Sequence, residues 1–202
     1  MRIRNILLFA VSITCLSFYS SCKQDSNKNT SQEATASSTT PVELNKASTS
    51  KILPDPCATV SREDIANLLS KSVDLITHKN SNSASSTTRS CFYRWSDSKV
   101  PNAAILLQAL GNPVPDEFAG WATAFIENKK SNGERLLSDP DTPIKYVTLK
   151  GLGEHTCYNL QESKCYIRIG DIVYLIATNG IEDDKTKMNI FKTLGSKILA
   201  EN

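Results

Sequence analysis

The sequence predicts an α+β fold in which a mainly antiparallel sheet of about five to seven strands packs with three helices and carries two disulfides. Helical spacing of apolar residues occurs near the start, the middle and the end of the predicted domain. Short apolar runs separated by hairpin-length turns fill the intervals. The apolar fraction of 40% and the charged fraction of 22% are typical of a globular protein and exclude collagen, coiled coil and wholesale disorder.

Three segments carry helix signals. Ser61 caps the first, with an acid, Asp64, at its third helical position. The predicted extents are Ser61 to about Lys71, Pro115-Asp116 to about Asn132-Gly133, and a start near Asp183-Asp184 for the last helix. The side chains predicted to face inward are Ile65, Leu68 and Leu69, then Phe118, Trp121, Phe125 and Ile126, then Met188, Phe191, Leu194, Ile198 and Leu199.

The strands are predicted from short apolar runs and the turn residues that bound them. They are Val73 to Thr77, Cys91 to Trp95, Ala103 to Leu110, Ile144 to Lys150, His155 to Leu160, Cys165 to Ile169 and Ile172 to Thr178. The last of these is continuously apolar, so we expect it in the middle of the sheet. The polar segment from Asn80 to Ser90 is predicted as a loop, and Asp139-Pro140-Asp141 as a turn.

The first 21 residues have the pattern of a signal peptide. Arg2 and Arg4 precede an apolar run from Ile6 to Tyr19, whose 14 residues are too few for the roughly 20 that cross a membrane. Ser20 and Ser21 then precede Cys22. Without these residues the chain has 21 basic and 21 acidic side chains, since only the two arginines are lost from 23 and 21. This neutrality argues against nucleic acid as a partner.

The segment from Met1 to Cys22 resembles the signal peptide of a bacterial lipoprotein, in the looser form of the Bacteroidota. It departs from the usual pattern at Tyr19, where leucine is preferred. The resemblance implies cleavage before Cys22, acylation of that residue, and a membrane as partner through the acyl anchor. Lys23 follows the cysteine, which implies the outer membrane, with the domain facing the periplasm or the cell surface. A secreted protein cleaved near Ser20 or Ser21, with an unmodified Cys22, is the alternative.

Residues 22–54 are predicted to be a lipidated N-terminus and a disordered tether, and residues 55–202 a single globular domain. Eleven of the 32 residues from Lys23 to Pro54 are Ser or Thr, and none is aromatic. Such a segment cannot bury enough apolar surface to offset its conformational entropy.

Four cysteines, an even number, remain in the predicted domain. They permit three disulfide pairings. Cys157 and Cys165 lie symmetrically about Gln161 on the arms of a predicted hairpin, where opposed residues are close enough to bridge. We therefore expect a Cys157–Cys165 disulfide and, by elimination, a Cys57–Cys91 disulfide.

The opening from Asp55 to Ile65 resembles that of a family of actinobacterial lipoproteins of unknown function. The shared features are Asp55-Pro56-Cys57, followed by a helix entered through an acid, and a second cysteine in an aromatic strand, Cys91 to Trp95. The family's glycine turn and basic strand resemble Gly151 to Glu154 and Ile167 to Val173. The resemblance implies a fold and no activity, and Cys157 and Cys165 are additions to the family pattern.

The sequence contains little that indicates catalysis. No Gly-x-Ser-x-Gly or His-Glu-x-x-His occurs, and the two histidines, His78 and His155, have no recognisable catalytic partners. We expect no cofactor and no metal site. Along the strand Cys91 to Trp95, Arg94 alternates with the cysteine and faces outward if the cysteine faces the core. Arg94, Glu154 and His155 are the candidate ligand-contacting residues.

The interpretation favoured by these observations is a cell-envelope lipoprotein whose domain binds an envelope protein or a glycan without catalysing a reaction. Whether it is an enzyme stays open. The alternatives are a secreted hydrolase that uses His155 or Glu154 as its base, and an inhibitor or immunity lipoprotein that blocks an extracellular enzyme.

Overall fold

Four α-helices and eight strands form the part of the chain that the computed structural model describes, residues 52–82, 87–96, 100, 102–136, 139–153 and 155–201. The helices are α1 (Pro56–Thr59), α2 (Arg62–Leu69), α3 (Trp121–Ser131) and α4 (Asp184–Glu201). The strands are β1 (Thr77–Asn82), β2 (Thr88–Trp95), β3 (Ala103–Leu110), β4 (Glu134–Leu136), β5 (Asp139–Ile144), β6 (Thr156–Asn159), β7 (Lys164–Ile169) and β8 (Ile172–Asn179).

Six of the strands form one antiparallel sheet in the order β1-β2-β3-β8-β7-β6, and β4 pairs with β5 in a separate small sheet. The predicted α+β class is therefore confirmed. The apolar strand β8 lies between β3 and β7 in the interior of the sheet, as its sequence predicts. Its side chains are buried on both faces from Ile172 to Ile176, which explains why the segment shows no alternation.

One face of the sheet, here called the cysteine face, packs against α1, α2 and α4. Alternate residues of β2, β3, β7 and β8 point to this side and form the larger core together with residues of α2 and α4. Its fully buried members include Tyr93, Ile105, Leu107, Ile176, Ile65, Phe191 and Leu194. Val60, which separates α1 from α2, accepts a hydrogen bond from the Tyr93 hydroxyl.

The other face, here called the groove face, is covered over its β6–β7 half. Ile126 of α3 packs there with Tyr146, Tyr166 and Leu175 in a second core. Over the β1–β2 half no described helix covers the face, and Phe92 and Leu106 stay partly exposed. This uncovered half holds the candidate site.

Helices α2 and α4 begin where the sequence predicts. Ser61 accepts a hydrogen bond from the Asp64 N–H, and Asp64 accepts one from the Ser61 N–H, so a capping box fixes the start of α2. In α4, Phe191, Leu194 and Ile198 are buried as predicted. Leu199 is instead exposed, because its position on the helix lies outside the buried stripe.

The strand predicted from Val73 to Thr77 is wrong. Val73–Leu75 is a 3₁₀ turn, and the strand runs from Thr77 to Asn82 into the segment predicted as a loop. The reason is its position at the edge of the sheet. Thr77 to Ser81 are all exposed, so no apolar alternation marks the strand.

The strand predicted from Ile144 to Lys150 is also wrong. The strand β5 precedes it and includes the predicted turn Asp139-Pro140-Asp141. The following segment makes only an isolated bridge, Val147 with Tyr158. The apolar residues that suggested a strand are divided between an exposed Val147 and buried Tyr146 and Leu149.

The middle helix begins later than predicted. It starts at Trp121, and the segment from Asn112 to Gly120 is irregular. Asn112 accepts a hydrogen bond from the Val114 N–H and donates one to the Phe118 carbonyl, which closes a turn before the helix. Phe118, predicted to face inward, is consequently exposed.

The predicted Cys57–Cys91 disulfide is present and connects α1 to β2, with a Cα–Cα distance of 5.1 Å. It is accompanied by the short helix α1, which the sequence analysis did not predict. Asp55 caps this single turn by accepting a hydrogen bond from the Cys57 N–H at 2.9 Å.

The predicted Cys157–Cys165 disulfide is wrong, and both thiols are free and buried. Cys157 lies opposite Tyr166, and Cys165 opposite Tyr158. The last pair is Asn159 with Lys164, so an even number of residues connects the two strands. A hairpin symmetric about Gln161 would need an odd number of connecting residues. This shift of one residue in the pairing register places the two cysteines on opposite faces of the sheet.

Candidate functional site

The candidate site is an open groove of about 490 Å³ on the uncovered half of the groove face. Three strands supply it. Its lining residues are Thr77, His78, Lys79 and Ser81 from β1, Ser90, Phe92 and Arg94 from β2, and Leu106 from β3.

The pairing register brings these side chains together. Thr77 lies opposite Arg94, Lys79 opposite Phe92, and Phe92 in turn opposite Leu106. Directly opposed residues of antiparallel strands point to the same face. The groove therefore runs along β1 and β2, and its side chains lie in cross-strand pairs on one face of the sheet.

Alternation along β2 separates core residues from site residues. Cys91, Tyr93 and Trp95 are at most 5% exposed and belong to the cysteine face, as the sequence analysis expects when the cysteine faces the core. Arg94 is exposed and Phe92 partly exposed on the other side. The guanidinium of Arg94 lies 4.5 Å from the centre of the Phe92 ring, a cation–π contact that orients its donors.

The groove has a positive charge. Lys79 and Arg94 are both exposed, and no carboxylate among the described residues forms an ion pair with either. The remaining polar groups are largely neutral. Ser90 accepts a hydrogen bond from Gln108 at 3.0 Å, and the Thr77 hydroxyl donates to the Arg94 carbonyl at 3.3 Å. The site offers an arginine fork and an ammonium group to an anion.

His78 contributes to the edge of the groove but its ring belongs to the cysteine face. The ring stacks on Tyr93 with centroids 6.1 Å apart. The next residue on that face, Asn80, donates a hydrogen bond to Asp55 at 2.7 Å. These contacts fasten β1 to the start of the domain.

The covered half of the groove face carries a cluster of paired charges. Glu134 accepts hydrogen bonds from Lys129 at 2.8 Å, Tyr146 at 2.9 Å and Lys164 at 3.1 Å. The Lys129 ammonium also lies 5.2 Å from the centre of the Tyr166 ring. Burial by itself would raise the pKa of Glu134, but the hydrogen bonds and the charge of Lys129 lower it to about 2. This cluster is a structural ion network with little capacity for a ligand.

The predicted site residues do not form one site. Arg94 lies in the groove on β2, whereas His155 is exposed just before β6. Three strands, β3, β8 and β7, separate β2 from β6, a distance of about 19 Å at the usual strand spacing. Glu154 and Cys22, the predicted lipidation residue, lie outside the described residues, as do the predicted signal peptide and most of the predicted tether.

The free thiols are poorly placed for chemistry. Burial raises the pKa of Cys157 to about 12 and raises that of Cys165 as well. Within the described part of the chain, no cluster of three or more potential metal-ligating residues occurs. Across the same residues, no helix is both long enough and apolar enough to span a membrane.

Lys79 is the charged residue of the groove that the sequence analysis missed. Its strand is polar on both faces, so the period-two pattern that would have paired it with Thr77 and Ser81 is absent. The sequence does contain a signal for the neighbouring strand β2, because Phe92 and Arg94 alternate with a cysteine that faces the core. That signal does not identify the strand that pairs with β2.

Comparison of this chain with protein-family models, with curated proteins and with solved structures finds no match. The two resemblances drawn from the sequence therefore stay predictions.

Proposed function

We propose that this protein is a lipid-anchored envelope protein whose domain binds, without catalysis, a partner that presents an anionic group to the groove. The observation that carries the proposal is the groove itself. It combines Lys79 and Arg94, two cations without a described acidic partner, on an uncovered sheet face. Burying such cations against an anion gains charge-assisted hydrogen bonds, which contribute more than neutral ones.

The remainder of the domain supports a scaffold role. The disulfide connects α1 to β2, and the larger core packs against the cysteine face behind the groove strands. Binding surfaces on rigid strands lose little conformational entropy on association.

The groove is tested with inorganic phosphate and acetate as probes in a two-dimensional amide NMR titration at low salt. We expect saturable shifts that are largest around Lys79, Phe92 and Arg94. The double variant Lys79→Gln/Arg94→Gln should lose them. Lys192→Gln, which removes an exposed cation on α4, should retain them. Absence of saturable shifts in the parent protein, or the same shifts in the double variant, would contradict the proposal.

The anchor is tested separately. We propose acylation at Cys22 and residence in the outer membrane, supported by the lipoprotein pattern of the first 22 residues. Intact mass of protein purified from host membranes should show a chain that begins at Cys22 with added acyl mass. Cys22→Ser should abolish the added mass and the membrane fractionation. A chain of unmodified mass that begins elsewhere would refute the anchor and leave the groove proposal unaffected.

A further inference from the structure

The outer edge of β1 pairs with no other described strand. β1 pairs with β2 on one side, and Thr77, His78, Lys79, Asn80 and Ser81 are all exposed. An edge strand presents backbone N–H and C=O groups that can accept a further strand.

The opposite edge of the same sheet is protected. At the outer edge of β6, Tyr158 exchanges two backbone hydrogen bonds with Val147, at 3.0 and 2.9 Å. Asn159 also donates to the Lys145 carbonyl at 2.9 Å. The segment from Lys145 to Val147 therefore covers β6, and no described segment covers β1 in this way.

The open edge borders the groove. A strand added beside β1 would place alternate side chains next to Thr77, Lys79 and Ser81, about 5 Å away. Those three residues line the groove, and Arg94 stands behind them on the next strand. Backbone pairing and contact with the two cations would thus occur together.

The charge of the edge selects among possible occupants. A second copy of this chain that paired antiparallel about the middle of β1 would place its Lys79 close to the first Lys79, and like charges repel. Lysine on an edge strand opposes such self-pairing. Acidic side chains at alternate positions of the incoming strand would neutralise both cations.

We propose that β1 and the groove together bind an extended, acidic peptide segment of a partner protein by strand addition. This inference rests on the proposed function, since it names the ligand class of the same groove. Main-chain hydrogen bonds to β1 would supply the register, and Lys79 and Arg94 the preference for acidic residues.

The test uses the purified protein and a short capped peptide with Glu at alternate positions between Thr and Val. Matched probes carry Lys in place of Glu, or N-methyl groups on the amides that would pair. A polyuronate oligosaccharide represents an acidic glycan. Affinity is measured by calorimetry, and amide hydrogen exchange reports whether β1 becomes protected.

We expect the Glu peptide to bind and to slow amide exchange in β1. The Lys peptide, the N-methylated peptide and the Lys79→Gln/Arg94→Gln variant should each weaken binding by at least about tenfold. Lys192→Gln should bind as the parent protein does. Unchanged circular dichroism and thermal midpoint of both variants show that they are folded.

The other outcomes overturn the inference in distinguishable ways. If the N-methylated peptide binds equally well and β1 is not protected, strand addition is refuted but an anion-binding groove remains. The same conclusion follows if the polyuronate binds in preference to the peptide. Concentration-dependent dimerisation that protects β1 without peptide assigns the edge to a second copy. If none of the anions binds, including phosphate and acetate, the proposed function is refuted as well.

Discussion

At the scale of single residues, Glu134 joins two ammonium groups and a tyrosine hydroxyl. Its carboxylate lies between the ammonium groups of Lys129 and Lys164 and accepts the Tyr146 hydroxyl. Lys129 is 15% exposed, so its charge has little access to water. Removing the carboxylate would leave a mostly buried cation without its counter-charge, which is among the costlier changes in a protein.

The stability of the domain should therefore fall with acid through Glu134. Its pKa is lowered from 4.5 to about 2 on folding, so the folded state releases the proton more readily than the unfolded state does. This contribution is fully present above about pH 4.5 and is lost as the pH falls toward 2, and it amounts to at most about 3 kcal/mol. Urea unfolding at a series of pH values should show this slope in the parent protein and a shallower one in Glu134→Gln.

A nearby carboxylate provides the control for that variant. Glu127 is 62% exposed and pairs with Lys130 at 3.2 Å on the surface of α3. Glu127→Gln should change the free energy of unfolding by less than about 0.5 kcal/mol at pH 7, against about 2 to 3 kcal/mol for Glu134→Gln. Equal effects of the two substitutions would show that the Glu134 cluster is no more than a surface ion pair.

At the scale of elements, the turn from α3 into β4 depends on one glycine. Gly133 has φ +76°, and its N–H bonds to the Asn128 carbonyl at the end of the helix. A Cβ at this position would lie 2.6 Å from the Ile144 carbonyl oxygen. The close approach is required because Glu134, the next residue, pairs with Ile144. The glycine thus delivers Glu134 to its cluster.

Gly133→Ala should destabilise the domain by more than about 2 kcal/mol, because backbone strain and a backbone clash add together. Gly151→Ala is the matched comparison. Gly151 has φ +93°, but a Cβ there would meet no described atom within 4 Å, so we expect conformational strain of about 1 kcal/mol alone. Denaturant midpoints of the two variants measure the difference, and a Gly133→Ala cost no larger than that of Gly151→Ala would exclude the clash.

At the scale of the whole molecule, the sheet divides the domain into two cores that each hold one free thiol. Cys165 lies in the core under α2 and α4, and Cys157 in the core under α3. Both are 0% exposed. A reagent can reach either thiol only if a layer of the domain opens, so the two cysteines report on the two layers independently.

Peptide-level alkylation should separate the four cysteines of the domain. In native protein without reductant, Cys157 and Cys165 should stay unlabelled over times that label an exposed thiol completely, because burial removes access and raises their pKa values. In denaturant both should label without reductant, whereas Cys57 and Cys91 should require it. A Cys157–Cys165 cross-linked peptide would restore the original disulfide prediction.

Elements with local signals could be predicted from the sequence alone. The capping box of α2, the apolar strands β3 and β8 and the amphipathic helix α4 belong to this group, because periodicity and caps depend on neighbouring residues. The Cys57–Cys91 disulfide is also confirmed, although the elimination that predicts it assumes a second pair that does not form.

Features that depend on pairing between distant segments required the folded chain. β1 is a strand because β2 supplies its hydrogen bonds, and its own polar residues carry no signal for it. The one-residue register of the β6–β7 hairpin separates two cysteines whose spacing favoured a pair. The groove follows from the same cause. Lys79 and Arg94 are neighbours in the sheet and distant in the chain, and side-chain alternation fixes the face only once the register is set.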